Sequence, residues 1–290
     1  IKLWSSGGKE LKPFFQGKNN KNFKRPRIQF SPDGQLLAST DKDNTITVWE
    51  LSGKKRMTFK GHTGWIYGLS FSPDGKMLAS ASEDKAVKLW SISDGKKPTT
   101  VRGHTDVVYD VSFSPDGKMI ASASGDQTIK LWSVKGKELQ TLRGHSDAVQ
   151  AANFSPNGKM IASASTDQTI KLWSLSGAEL QTFKGHNGWI YDVVFSPDGK
   201  TIVSASSDRT IKLWDVDQKN FYPIRGHTQT VYSVNFSPNG KVIASGSVDR
   251  TVKLWDVSGN ELKTIGGYSG WINGISFSPD GKTIAVGSAD

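Results

Sequence analysis

The 290-residue chain contains no cysteine. That removes disulfides, thiolate catalysis and cysteine-based zinc sites, and it fits a cytosolic setting. No run of ~18 apolar residues occurs, so no membrane-spanning helix is expected. There is no basic start leading into an apolar stretch and a small-residue cleavage site, and so no visible signal peptide. The phosphate-cradling pattern G-x-x-x-x-G-K-[ST] is missing. Apolar residues nowhere recur at helical spacing. What the chain has is positive charge, with 37 Lys and Arg against 27 Asp and Glu, ten tryptophans, and a strong internal periodicity.

Gly-His pairs begin at Gly61, Gly103, Gly144, Gly185 and Gly226, and Gly267-Tyr268 is an altered sixth. The turn SP[DN]G begins at Ser31, Ser72, Ser114, Ser155, Ser196, Ser237 and Ser278. A tryptophan closes [IVL]-x-[LV]-W at Trp4, Trp49, Trp90, Trp132, Trp173, Trp214 and Trp255. Most intervals are 41 residues, and the first tryptophan interval is 45. A period in this range marks a repeat architecture, which has to be recognised before any residue is given a role.

One repeat explains the rest. Val149 to Phe154 is short and apolar, and Ser155-Pro156-Asn157-Gly158 ends it with a turn in which Pro presets φ and Asn-Gly supplies left-handed positions. Met160 to Ser165 reads as a second strand, and Thr166-Asp167-Gln168 as another turn. From Thr169 to Trp173 the residues alternate, with Ile170 and Leu172 on one face and Lys171 and Trp173 on the other. Leu180 to Phe183 is a fourth strand. Four short antiparallel strands per period make one propeller blade. A lone blade cannot bury both faces, whereas radial packing buries them and ring closure removes the lateral ends.

The Gly-His opening, the SPDG turn, the [LIV]-A-S-x-S-x-D segment and the following Trp make the chain resemble the WD-repeat β-propeller family. The full Trp-Asp pair stands at Trp214-Asp215 and Trp255-Asp256; Ser follows Trp90, Trp132 and Trp173, and Glu follows Trp49. The resemblance covers nearly the whole chain. It implies an all-β, seven-bladed propeller in one domain, with blades one to six at about 28–60, 61–102, 103–143, 144–184, 185–225 and 226–266. The seventh combines 267–290 with 1–16, so the ring closes without a covalent link. The chain begins with Ile in mid-repeat and is expected to be part of a longer protein. Near-identical blades of this kind occur in large bacterial multidomain proteins beside an NTPase, kinase or protease domain.

Some segments depart from the pattern. GKNNKNFKRPR, Gly17 to Arg27, replaces the Gly-His segment and is three residues longer than its counterparts. Its five cations suit a solvated loop or a binding arm, and Pro26 interrupts the innermost strand of blade one. Asp41-Lys42-Asp43-Asn44 weakly resembles a calcium loop but lacks a Glu at the required distance. An ordinary turn is expected there.

His145, Asp167 and Ser163 could be assembled into a hydrolase triad. The same set recurs as His62/Asp84/Ser80, His104/Asp126/Ser122, His186/Asp208/Ser204 and His227/Asp249/Ser245. Catalysis needs one activated nucleophile beside an oxyanion hole, and five copies round a ring argue for scaffold. The resemblance implies an Asp–His–Ser–Trp hydrogen-bond network in each blade. Blade one keeps Ser39, Asp43 and Trp49 without the His. The last keeps Asp290 and Trp4, with Tyr268 and Val286 replacing His and Ser. These two blades are expected to be the loosest. One His per blade holds the imidazoles too far apart for a shared metal. No catalytic residue, metal or cofactor is expected.

The candidate partner-binding residues form a variable column within the fixed frame. Trp65, Trp189 and Trp271 stand three places after the His or its replacement, and Tyr67, Tyr191 and Asn273 follow two places on. The other blades offer Val107/Tyr109, Ala148/Gln150 and Thr230/Tyr232. Residues two apart on a strand share a face, so each pair is expected to point one way. In the family these positions surround the opening of the central channel, a face commonly used for partners. Partly exposed aromatics there suit hot spots; the competing reading packs them between blades. Lysines after SP[DN]G, with Lys54-Lys55-Arg56 and Lys96-Lys97, are expected on the opposite face. That separation disfavours nucleic-acid binding, which needs a basic stripe beside stacking aromatics. The expectation is a cytoplasmic, monomeric, non-enzymatic protein- or peptide-binding module. A basic nucleic-acid-binding propeller is the alternative.

Overall fold

The computed structural model describes residues 1–11, 26–93, 97–218 and 220–289. Most of the basic segment (through Arg25), residues 12–16 of the closing blade, Lys96 and Asp290 lie outside the described residues. Six four-stranded antiparallel sheets follow one another along the chain, and a further sheet joins the two ends. Blade four has strands Val149–Phe154, Met160–Ser165, Thr169–Ser174 and Glu179–Lys184. The closing blade pairs Lys2–Ser5 with Thr283–Ser288, which pairs in turn with Ile272–Phe277. An isolated bridge from Trp4 to Glu10 stands where its fourth strand would begin. The expected seven-bladed, non-covalently closed propeller is the observed fold.

The core lies between blades, because each sheet has two apolar faces to cover. Ala121, Ile129 and Leu131 of blade three pack on Val149, Phe154, Ile161 and Trp173 of blade four. Six interfaces repeat this arrangement. At the closure, Leu3 and Ala285 meet Ile28, Phe30, Leu37 and Trp49, the smallest of these clusters among the described residues. The innermost strand of blade one is only Ile28–Phe30, beginning just after Pro26. Proline's missing N–H accounts for the late start.

Two further devices stitch the ring. In each SP[DN]G turn the serine hydroxyl is shared locally: Met160 N donates to Ser155 Oγ at 2.9 Å, and Lys159 N to Asn157 Oδ1 at 3.0 Å. Gly158 takes φ +68° and faces Pro115 of the preceding blade, whose ring would be in van der Waals contact with a Cβ placed there. The same juxtaposition runs from Gly75 with Pro32 to Gly281 with Pro238, and Gly34 with Pro279 completes the circle. Side chains also cover the open edges of the innermost strands, whose backbone groups would otherwise lack partners. Gln29 Oε1 accepts from Phe71 N at 2.8 Å, Asp192 Oδ2 from Val234 N at 3.0 Å, and Ser276 Oγ from Phe30 N at 3.2 Å across the closure.

Candidate functional site: the rim and mouth of the channel

One end of the ring carries the Gly-His loops and the turns from second to third strands; the SP[DN]G and third-to-fourth turns, with their lysines, lie at the other. At the first end each Gly-His loop is pinned from beneath. Trp173 Nε1–H donates to Ser163 Oγ at 2.8 Å. Ser163 Oγ is 2.7 Å from His145 Nε2, and His145 Nδ1 is 2.7 Å from Asp167 Oδ2. Asp167 also accepts from the backbone N–H of Ser146 and Thr169. With a neutral imidazole, every group in this chain gives one proton forward and all are satisfied. The other four sets have the same geometry. The serine of each set is fully buried beneath the indole, so no hydroxyl is presented to a substrate. Burial lowers the pKa of His62 and His186, against the opposing pull of their aspartates. Burial disfavours the ionised Asp84, but the His62 hydrogen bond and charge outweigh it and hold the carboxyl at about 2.

The two divergent blades solve the same problem differently. In blade one Trp49 still donates to Ser39, but Asp43, with no imidazole to receive, is exposed. Asp41 turns inward instead and accepts from the Thr45 and Thr47 hydroxyls. In the closing blade Val286 cannot accept from the indole, and the longer Tyr268 reaches down to take the Trp4 N–H directly.

Above this frame, the innermost strands carry a β-bulge at the mouth. The register slips at Tyr67, Tyr109, Gln150, Tyr191, Tyr232 and Asn273. A bulge leaves one residue unpaired and re-aims its side chain. This corrects the expectation that each Trp/Tyr pair shares a regular strand face. Trp189 precedes its strand, which starts at Ile190, and Tyr191 is the bulged residue. Their rings nevertheless meet edge-on at 6.3 Å. Tyr191 meets Tyr232 at 4.7 Å, and Tyr232 lies 6.4 Å from Trp271. One aromatic arc therefore crosses blades five to seven. Tyr67 and Tyr109 form a second contact at 5.6 Å. Trp189 is 53% exposed and Trp271 44%, while Trp65 is half-buried. Gln150, Asn273 and most of Tyr191 are buried in the wall of the mouth.

Sequence reading missed the level below. One place past each bulge stand Gly68, Asp110, Ala151, Asp192, Ser233 and Gly274, and Arg27 holds the same level in blade one by its backbone bonds with Thr40. Asp110 and Asp192 thus line the channel. Burial pushes Asp110 up to about 7; Arg27 opposes the shift and Asp192 adds to it. Burial also raises Asp192. Each carboxylate accepts a backbone N–H from the next blade, Ala152 for Asp110 and Val234 for Asp192. Arg27 Nη1 donates to the Asn273 carbonyl at 3.3 Å.

Residues 133–290 match the family model described as the IFT122 first beta-propeller. Residues 27–50, 53–91 and 95–133 match that of the WD domain, G-beta repeat. Among curated proteins, ribosome assembly protein 4 of Chaetomium thermophilum is 48% identical over 44 residues, 14% of this chain and 8% of that protein. An uncharacterised WD repeat-containing protein of Nostoc sp. is 50% identical over 38 residues, 13% of this chain and 3% of its own length. The similarity to these two relatives is thus about one repeat long.

Proposed function

Because the chain belongs to the WD-repeat β-propeller family, whose propellers typically serve as protein-interaction scaffolds, we propose that it is a non-enzymatic module that docks a protein or peptide on the rim of its channel. The supporting observation is the aromatic arc from Trp189 to Trp271, whose end rings are half exposed while the seven third-strand tryptophans are buried. A repeat frame built to bury its tryptophans leaves these two outside, where large rigid side chains contribute most to binding. The reading includes a monomeric domain and a cytoplasmic setting. Nucleic-acid binding is the competing reading, and a salt titration separates the two. Phosphate binding weakens steeply between about 50 and 200 mM salt, whereas docking anchored on aromatic rings holds.

A further inference from the structure

The cation before each Gly-His pair is exposed on both sides of the ring, as at Arg102, Arg143, Lys184 and Arg225, but the loops and turn tips around the mouth differ in charge from one side to the other. On blades two to four, Glu83, Asp106 and Asp147 are exposed on the loops around the mouth. The one cation at the turn tips there, Lys85, gives its ammonium to the Thr105 carbonyl at 2.8 Å. On blades five to seven the positions matching Asp106 and Asp147 are Gly188, Gln229 and Gly270, and exposed tryptophans follow the two glycines. The turn tips on that side are Arg209 and Arg250, both exposed. Each turn is fastened to the Gly-His loop of its own blade, Ser207 N to the Trp189 carbonyl and Val248 N to the Thr230 carbonyl, both at 2.9 Å. Arg209 and Arg250 have φ 69° and 68°, a left-handed conformation in which glycine is the less strained choice. Lys85, Gln127 and Gln168 share that conformation, so it belongs to the frame, and what distinguishes blades five and six is the guanidinium carried there.

We infer that the partner segment docked on this rim is acidic: an Asp or Glu side chain lies between Arg209 and Arg250, and a neighbouring aromatic or aliphatic residue sits on the arc between Trp189 and Trp271. The inference rests on the docking reading above and gives it a chemistry. Guanidinium groups beside exposed aromatic rings are matched by carboxylates next to apolar side chains, and the acidic half of the rim sets the register by repelling the same carboxylates. A polynucleotide fits less well, because its charge is continuous and its path across the mouth would meet Glu83, Asp106 and Asp147.

The test is selection of a displayed random dodecapeptide library on the whole chain, followed by affinity measurement of the enriched peptides. Arg209→Gly/Arg250→Gly is the key variant, since glycine suits both backbone positions and the melting temperature is expected to hold or rise. The expected result is enrichment of Asp or Glu beside aromatic or aliphatic residues. Affinity should fall about tenfold or more in both Arg209→Gly/Arg250→Gly and Trp189→Ala/Trp271→Ala, and hold or rise in Asp106→Asn/Asp147→Asn, which removes repulsion of the ligand's carboxylates. Peptides that need the tryptophans but show no acidic bias, or bind Arg209→Gly/Arg250→Gly unchanged, overturn the acidic chemistry and leave the docking reading standing. Peptides indifferent to the tryptophans, or none retained at all, overturn both. Competition by an oligothymidylate at about 0.15 M salt transfers the site to nucleic acid.

Discussion

The carboxylic acids of the channel wall and of the His–Asp network respond to pH in opposite directions. Asp84 is held at about 2, below its ordinary value, so its contribution is complete above about pH 4 and is lost as the pH falls toward 2. His62 and His186 have lowered values, so their contribution is complete above about pH 6.5 and is lost as the pH falls through their lower folded values. Asp110 is raised to about 7. Its contribution is complete below its unfolded value and is lost as the pH rises through about 7. Asp110→Asn removes that alkaline penalty and leaves an amide oxygen to accept from Ala152. Melting at two pH values tests this: the variant should gain a few degrees over the parent at pH 8, roughly 2–4 °C per kcal/mol, and less at pH 5. In the network, Ser163→Ala leaves the Trp173 indole N–H and the His145 ring without their shared partner. Such a loss costs about 1–3 kcal/mol, read as a lower denaturant midpoint at unchanged slope.

At the scale of the element, the closing blade is the weak point. Its contact with blade one is the smallest of the inter-blade clusters among the described residues, and blade one's innermost strand is shortened by Pro26. Native-state hydrogen exchange should therefore find Lys2–Ser5 and Ile28–Phe30 opening before the strands of blades three to five. Tyr268→Phe removes the acceptor of the Trp4 indole N–H and should lower the melting temperature. Tyr268→His/Val286→Ser rebuilds the His–Ser pair of the other blades and should recover it, which a plain loss of ring volume would not predict.

The four strands of each blade were legible because the period of two in Thr169–Trp173 and the Ser-Pro-Asn-Gly turn are local features. The His–Asp–Ser set was legible as scaffold because it recurs. The aromatic arc was legible only as a column of variable residues. A bulge is set by which hydrogen bonds a strand makes with its partner, and nothing near Tyr191 announces that it will slip. For the same reason Asp110 and Asp192 read as ordinary strand residues. Only the closed ring turns them toward a common channel with Arg27 beside them.

For the molecule as a whole, the proposed docking surface is the rim at one end of the ring, with the turn lysines at the opposite end. Docking at the rim is tested by comparing the intact chain with Trp65→Ala/Trp189→Ala/Trp271→Ala for binding to protein and peptide libraries and for thermal melting. The triple variant should melt within a few degrees of the parent and lose the ligands that the parent binds, because Trp189 and Trp271 are exposed and Trp65, though half-buried, belongs to none of the inter-blade clusters. A variant that melts far earlier, with no ligand found for either protein, would mean that these tryptophans hold the blades together and that the docking surface is elsewhere.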